Sequence, residues 1–245
     1  MSLGSGASYE GAFSIESASI EGGPEPLGCE HQEDAGDIAL FSPVHYESGY
    51  AYPLIVWLHG EEGHEDELPR VMPHMSVRNH VGVAPRGTQR AGSGYRWSES
   101  GEDLGDAADR VLAAVDAAKE RYHIHAERVF LAGYQCGGTM AVRIALEYPE
   151  VFAGAASVEG RVPRGGRPLR NINRARKTPL LLATSLEDDA LSVSTVNEDL
   201  RLLHSAGMAV AMRLYPGGDG LATNMLSDID AWVMERVCAP AHACS

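Results

Sequence analysis

The fold follows from the stretch Arg128-Val129-Phe130-Leu131-Ala132-Gly133-Tyr134-Gln135-Cys136-Gly137-Gly138-Thr139-Met140-Ala141. It opens with an apolar run rich in β-branched and aromatic side chains, which is typical of a buried strand. The run meets a glycine-rich corner, and apolar residues then recur at helical spacing, among them Met140 and Ile144. The sequence therefore predicts a strand, a tight turn and a helix in direct succession.

The rest of the chain alternates apolar runs with helical patterns. The runs cover residues 37–41, 53–58, 80–85, 152–158, 179–184 and 210–215. Helices are predicted in a short stretch that Pro73 interrupts or ends, over 100–122, in a segment ended by Gly207, and around Trp232. Continuous apolar runs indicate strands that are buried on both faces. We therefore predict an α/β fold, with a mostly parallel central sheet covered by helices on both faces.

The domain organisation is expected to be simple. Residues 1–35 are rich in Gly, Ser, Glu and Pro without periodicity, which predicts a flexible or irregular lead-in. We expect a single domain over 36–238 and a short tail over 239–245, because one α/β domain commonly reaches this length.

The composition of the chain limits which kinds of partner and which cellular location we expect. A net charge of -14 would repel phosphate backbones and anionic lipid surfaces, so we expect no nucleic-acid partner. No apolar run approaches the ~20 residues of a membrane helix and no signal segment is visible, so we expect a cytoplasmic protein without membrane contact. The four cysteines lack Cys-x-x-Cys spacing, which favours free thiols over a zinc site. A bridge between Cys238 and Cys244 stays open, and no cofactor is indicated.

The glycine-rich corner has the spacing of the Gly-x-Ser-x-Gly nucleophile elbow, but it reads Gly133-Tyr134-Gln135-Cys136-Gly137. Because of this motif and four others, the chain resembles an α/β-hydrolase of the phospholipase/carboxylesterase (dienelactone hydrolase-like) family. The resemblance extends from about Pro53 to Val237. The further motifs are Trp57-Leu58-His59-Gly60, Ala84-Pro85-Arg86-Gly87, the turn from Thr184 to Asp189, and Tyr215-Pro216-Gly217-Gly218.

The resemblance implies a Ser, Asp, His triad, whose positions are Gln135, Asp188 and Asp219 in this chain. A glutamine amide cannot be deprotonated to attack at neutral pH, and a carboxylate lacks the two nitrogens with which imidazole relays a proton. We therefore predict a non-catalytic or strongly impaired hydrolase that binds a small ligand or partner in the former active site. Two alternatives are an ester hydrolase with non-standard groups and an interaction protein with a filled pocket.

The resemblance also implies an oxyanion hole formed by the backbone N–H groups of Glu61 and Cys136. The acidic side chains of Glu61 and Glu62 would oppose a developing negative charge there unless they point away. The thiol of Cys136 lies at a helix N-terminus, which favours reactivity, but the residue after the elbow tip ordinarily points into the fold, so we expect a structural role. We expect His59 to be a structural hydrogen-bonding residue.

Gln135, Asp188 and Asp219 would bring two carboxylates together, which must share a proton, bridge through the amide or bind a cation. No loop spacing typical of a dedicated cation site is present, so we predict no metal.

Two further features suggest ligand contacts. Trp97 matches the aromatic segment that lines the pocket in the family, although a plain packing role is equally consistent with it. A loop at the predicted ligand-binding edge of the sheet carries seven basic residues and no acidic one, namely Arg161, Arg164, Arg167, Arg170, Arg174, Arg176 and Lys177. Arg161 and Arg164 are candidate ligand-binding residues. The alternative is a solvated loop that pairs with acidic residues of the same chain.

Overall fold

The computed structural model describes residues 29–30, 37–98, 103–186, 193–217 and 220–239. In this part of the chain eight strands form one sheet, in the order β1-β2-β4-β3-β7-β8-β9-β10. The strands are β1 (Cys29–Glu30), β2 (Ile38–Phe41), β3 (Tyr52–Leu58), β4 (Val81–Pro85), β7 (Ile124–Tyr134), β8 (Gly154–Val158), β9 (Leu180–Ser185) and β10 (Val210–Tyr215). A separate hairpin is formed by β5 (Gln89–Ala91) and β6 (Gly94–Arg96).

The sheet is parallel from β4 to β10, and β1 and β2 add an antiparallel edge. The chain passes from β3 to β4 on one side and returns to β7 on the other side of β3. The carboxyl ends of β3 and β7 therefore lie at the point where the strand order reverses. Open α/β sheets bind ligands in the crevice at this point.

Helices cover both faces of the sheet. They are α1 (Leu68–Met75), α2 (Leu104–Arg121), α3 (Cys136–Glu147), α4 (Ile172–Ala175), α5 (Val193–Ser205) and α6 (Thr223–Val237). Alternate residues of β3 point to opposite faces: Leu54 and Val56 pack in the core beneath α2 and α3, whereas Ile55 and Trp57 pack in the core beneath α1 and α6. Both cores are fully buried at β3, which explains its unbroken apolar sequence. The predicted fold class is confirmed.

The structure differs from the predicted elements in several segments, among them the predicted loop over 161–177, which contains the short helix α4. Helix α1 continues through Pro73 to Met75, because its side chains Leu68, Val71 and Met72 are buried against the sheet and against α6. Tertiary packing outweighs the disruptive effect of an internal proline here. The predicted loop after β4 also contains the β5–β6 hairpin. None of the helices that are described has the length and apolar character needed to cross a membrane.

Candidate active site

The turn between β7 and α3 is sharp, and Gln135 lies at its tip. Gln135 has φ 48° and ψ -119°. Residues other than glycine rarely adopt a positive φ. Its backbone N–H donates to the carbonyl oxygen of Val158 at 2.8 Å, and α3 begins at the next residue, Cys136. The tip therefore projects its side chain from the carboxyl edge of the sheet at the reversal point.

Two glycines make this turn possible, because the backbone of α3 packs so closely on β7 and β3 that no Cβ atom fits between them. An added Cβ at Gly133 would lie 2.6 Å from the backbone of Gly137. A Cβ at Gly137 would lie 2.2 Å from the carbonyl oxygen of Leu58 and 2.3 Å from that of His59. The helix thus starts against the ends of β3 and β7: a side chain at Gly137 would push α3 away from β3, and one at Gly133 would push α3 away from β7.

The side chain of Gln135 faces the loop that follows β3. Its Oε1 atom accepts a long hydrogen bond of 3.4 Å from the backbone N–H of Glu61, the predicted oxyanion donor. Its Nε2 atom donates to the hydroxyl oxygen of Tyr134 at 3.2 Å. The amide oxygen therefore occupies the place where a Glu61 N–H would hold a ligand carbonyl oxygen.

The acidic side chains beside this donor are turned toward the β5–β6 hairpin. Glu61 forms an ion pair with Arg96 at 3.3 Å, and both side chains are about half exposed, 46% and 47%. Glu62 places its carboxylate against Gly92, at the turn of the hairpin. The Tyr95 N–H donates to the carbonyl oxygen of Gly63 at 2.9 Å, which fixes the hairpin on the loop. Arg96 thus balances the charge of Glu61 near the oxyanion donor.

His59 is fully buried and holds the loop from within. Its Nδ1 atom lies 2.9 Å from the carbonyl oxygen of Gly60, and its Nε2 atom accepts from the backbone N–H of Gly87 at 2.9 Å. These partners fix the neutral tautomer with the proton on Nδ1. Burial lowers the pKa of His59, and the hydrogen bond to Gly60 opposes that shift only in part. The imidazole fixes the loop and has no free nitrogen with which to act as a base.

This burial predicts a pH dependence of stability. Because the pKa of His59 is lowered in the folded state, the unfolded chain binds more protons at pH values between the two pKa values. The free energy of unfolding should therefore fall as the pH drops below about 6.5, by up to about 1.4 kcal/mol per pH unit, and level off below the folded pKa. Urea unfolding from pH 8 to pH 5, compared between wild type and His59→Gln, measures this. A slope equal in the two proteins would contradict the assignment.

Glu65, in a 3-10 turn just before α1, anchors the same region. The Arg86 side chain donates from Nε to both carboxylate oxygens of Glu65, at 2.9 and 3.0 Å, and also forms an ion pair with Asp37. Burial is the largest influence and alone would raise the pKa of Glu65, but the hydrogen bonds from Arg86, a backbone hydrogen bond and the nearby positive charge together outweigh it and lower the pKa. The segments after β3 and after β4 are thereby joined beside the site.

Two predicted site residues are buried. The side chain of Cys136 is 5% exposed and belongs to the core beneath α2 and α3, as a structural role requires. Trp97 is 1% exposed, and its ring centroid lies 5.8 Å from that of His59. Trp97 therefore packs behind the loop after β3, and a contact with a ligand stays a prediction.

The arginine-rich loop pairs with acidic residues of the same chain. Arg164 binds the buried carboxylate of Asp199 at 2.7 Å, Arg170 binds Glu147, and Arg174 binds Glu150. From α3, the buried Arg143 donates to the carbonyl oxygens of residues 164 and 165 at 2.8 and 3.1 Å. These contacts favour the solvated-loop interpretation. The ligand-binding roles of Arg161 and Arg164 stay predictions.

The other two triad positions, Asp188 and Asp219, lie outside the described residues. Their proximity to Gln135 therefore stays a prediction. Within the described ranges, no group of three or more His, Cys, Asp or Glu side chains is arranged to hold a metal ion.

One residue of the site region was missed by the sequence analysis. Glu159 directly follows β8, is 9% exposed, and accepts hydrogen bonds from Thr184 and Ser185 at the end of β9. Its only signal in the sequence is an acidic residue placed directly after a buried strand, which by itself indicates little.

The parallel sheet, the elbow and the loop after β3 together define an α/β-hydrolase. A family model described as Esterase PHB depolymerase matches residues 40–166, which is more than half of the chain, and the chain belongs to that family.

Known relatives agree with this class. Carboxylesterase SOBER1 of Arabidopsis thaliana is 28% identical over 120 residues, which cover 48% of this chain and 53% of SOBER1. The chain spans a third to about half of the length of the curated relatives it matches, between 33% and 53%.

Solved structures share the fold. The crystal structure of SOBER1 has a TM-score of 0.64 at 22% identity, over 76% of this chain and 100% of that chain. The Bacillus cereus carboxylesterase has a TM-score of 0.67 at 20% identity, over 83% and 96% of the two chains. At these identities the likeness concerns the fold alone.

Proposed function

We propose that this chain binds a small ester-like ligand at the carboxyl edge of its sheet without serine-triad hydrolysis. The conformation of Gln135 supports this proposal most directly: an amide at the elbow tip, with φ 48°, has no hydroxyl or thiol to attack a carbonyl. The carboxylesterase relatives support an ester or a related acyl compound as the ligand class.

The backbone strain at Gln135 supports a role for its side chain. A residue other than glycine in this conformation costs about 1–3 kcal/mol, and glycine would adopt it freely. Such strain is concentrated at functional sites. The amide Nε2 atom carries a second N–H besides the one that it donates to Tyr134, and this second donor suits recognition of a carbonyl group.

Hydrolysis by non-standard groups is the second candidate. The family and the inward-facing Glu61 N–H favour it, because a preorganised backbone donor alone retains part of the rate enhancement. Turnover of p-nitrophenyl acetate by pure protein that Gln135→Ala abolishes would favour this candidate over the proposal.

Binding is tested by titrating ¹⁵N-labelled protein with ethyl butyrate and following the backbone amide resonances. We expect the resonances of Glu61 and Cys136 to shift, and we expect Gln135→Ala to weaken the apparent affinity by about three- to tenfold, the effect of one lost neutral hydrogen bond. Shifts at neither residue would favour the interaction protein with a filled pocket and contradict the proposal.

A further inference from the structure

Glu159 holds a second strained position at the same edge of the sheet. Its φ is 53°, close to that of Gln135, although glutamate has a Cβ that disfavours this region. Such a residue persists where its surroundings determine its conformation. The side chain of Glu159 contacts the end of β9, and the backbone beside it contacts the elbow at Gln135.

The carboxylate of Glu159 binds the end of β9. Its Oε1 atom accepts from the backbone N–H and the hydroxyl of Ser185, at 2.8 and 2.5 Å, and its Oε2 atom accepts from the Thr184 hydroxyl at 2.9 Å. Its own backbone N–H donates to the carbonyl oxygen of Ala183 at 2.9 Å. Thr184 and Ser185 are themselves buried, so these hydrogen bonds are shielded from water.

The backbone on either side of Glu159 adjoins the elbow. The preceding residue, Val158, accepts the hydrogen bond from the Gln135 N–H. The following residue, Gly160, lies so close that an added Cβ would be 2.7 Å from the carbonyl oxygen of Gln135. Thr139 in α3 then accepts from the Arg161 N–H at 2.9 Å. Glu159 therefore joins the elbow tip to the end of β9.

We infer that Glu159 is a positioning residue of this site, which holds the end of β9 in a fixed place relative to Gln135. Ser185 is the last residue of β9, so this carboxylate sets where the chain leaves the sheet. This role of Glu159 is the same whether a ligand at the site is only bound or is also hydrolysed.

The test replaces Glu159 in the ligand-free full chain. It measures the effect at Ser185, at the end of β9, and at Gln135, at the elbow tip. Glu159→Met removes the acceptor contacts with Thr184 and Ser185 while keeping a side chain of similar length. Amide hydrogen exchange at Ser185 should become at least about tenfold faster, the effect of one lost hydrogen bond to a charged group. The side-chain amide resonance of Gln135 in ¹⁵N spectra should also shift.

Two controls separate positioning from general destabilisation. Glu159→Gln can still accept from Ser185 while its amide donates to the Thr184 hydroxyl. The exchange rate at Ser185 and the Gln135 resonance should therefore stay near their wild-type values. Asp199→Leu removes another buried acid, which binds Arg164, and should leave the Gln135 resonance in place. Should Glu159→Met fail to fold, Thr184→Val should shift both readouts in the same direction by less. Unchanged readouts in Glu159→Met, or equal changes in Asp199→Leu, would overturn the inference.

Discussion

Ester turnover should rise by about 10²-fold or more when Gln135→Ser and Asp219→His are combined. The turn already has the geometry that projects a nucleophile, because Gln135 has φ 48° and α3 begins directly after it. The Glu61 N–H already faces this side chain. A serine at the tip and a histidine at position 219 would supply a hydroxyl and a base at the two positions where the family resemblance expects them.

The single variants are the controls for this experiment. Triad residues act as a unit, so Gln135→Ser and Asp219→His alone should each give little of the gain. Initial rates with p-nitrophenyl acetate and butyrate, corrected for spontaneous hydrolysis, measure the effect. A double variant that folds but stays at the background rate would show that the three triad positions do not meet.

Gly137→Ala should lower stability strongly. Its Cβ would lie 2.2 and 2.3 Å from the carbonyl oxygens of Leu58 and His59, which are backbone atoms of the central strand end and cannot rotate away. The start of α3 must therefore move from β3, at a cost of about 3 kcal/mol. For a chain of this size the melting temperature should fall by roughly 6–12 °C.

Gly105→Ala in α2 is the matched control. Apart from the neighbouring backbone of α2 itself, no atom lies within 4 Å of its added Cβ, so this change should stabilise the helix by up to about 1 kcal/mol. Calorimetry of the two variants and wild type gives the comparison. A melting temperature for Gly137→Ala within 2 °C of wild type would show that the close contact between α3 and β3 is not as described.

The sheet could be predicted from the sequence because its strands are buried on both faces and have unbroken apolar runs. The run 53–58, for example, differs from β3 by one residue. The sharp turn at Gln135 follows from the glycines at 133 and 137, where a larger residue would force the start of α3 to move. The β5–β6 hairpin could not be predicted, because its strands are three residues long and largely polar, and it is held by long-range contacts such as that between Tyr95 and Gly63.

Only those residues of the site that belong to a sequence motif could be predicted. Gln135 and the Glu61 N–H come from the motif, whereas the contacts of Glu159 join residues 25 and 26 positions apart in the chain. A single acidic residue after a strand does not indicate which strand end it will bind. The pairing of Arg164 with Asp199 likewise depends on where α5 packs.

The absence of a reactive nucleophile at the elbow is tested most directly by covalent labelling. The 245-residue chain is incubated with excess fluorophosphonate, and its intact mass is measured beside that of the Gln135→Ser/Asp219→His double variant. We predict an unchanged mass for the wild type and one phosphonyl adduct, mapped to position 135, for the double variant. A stoichiometric adduct on any residue of the wild type would contradict the assignment of Gln135 to the catalytic position.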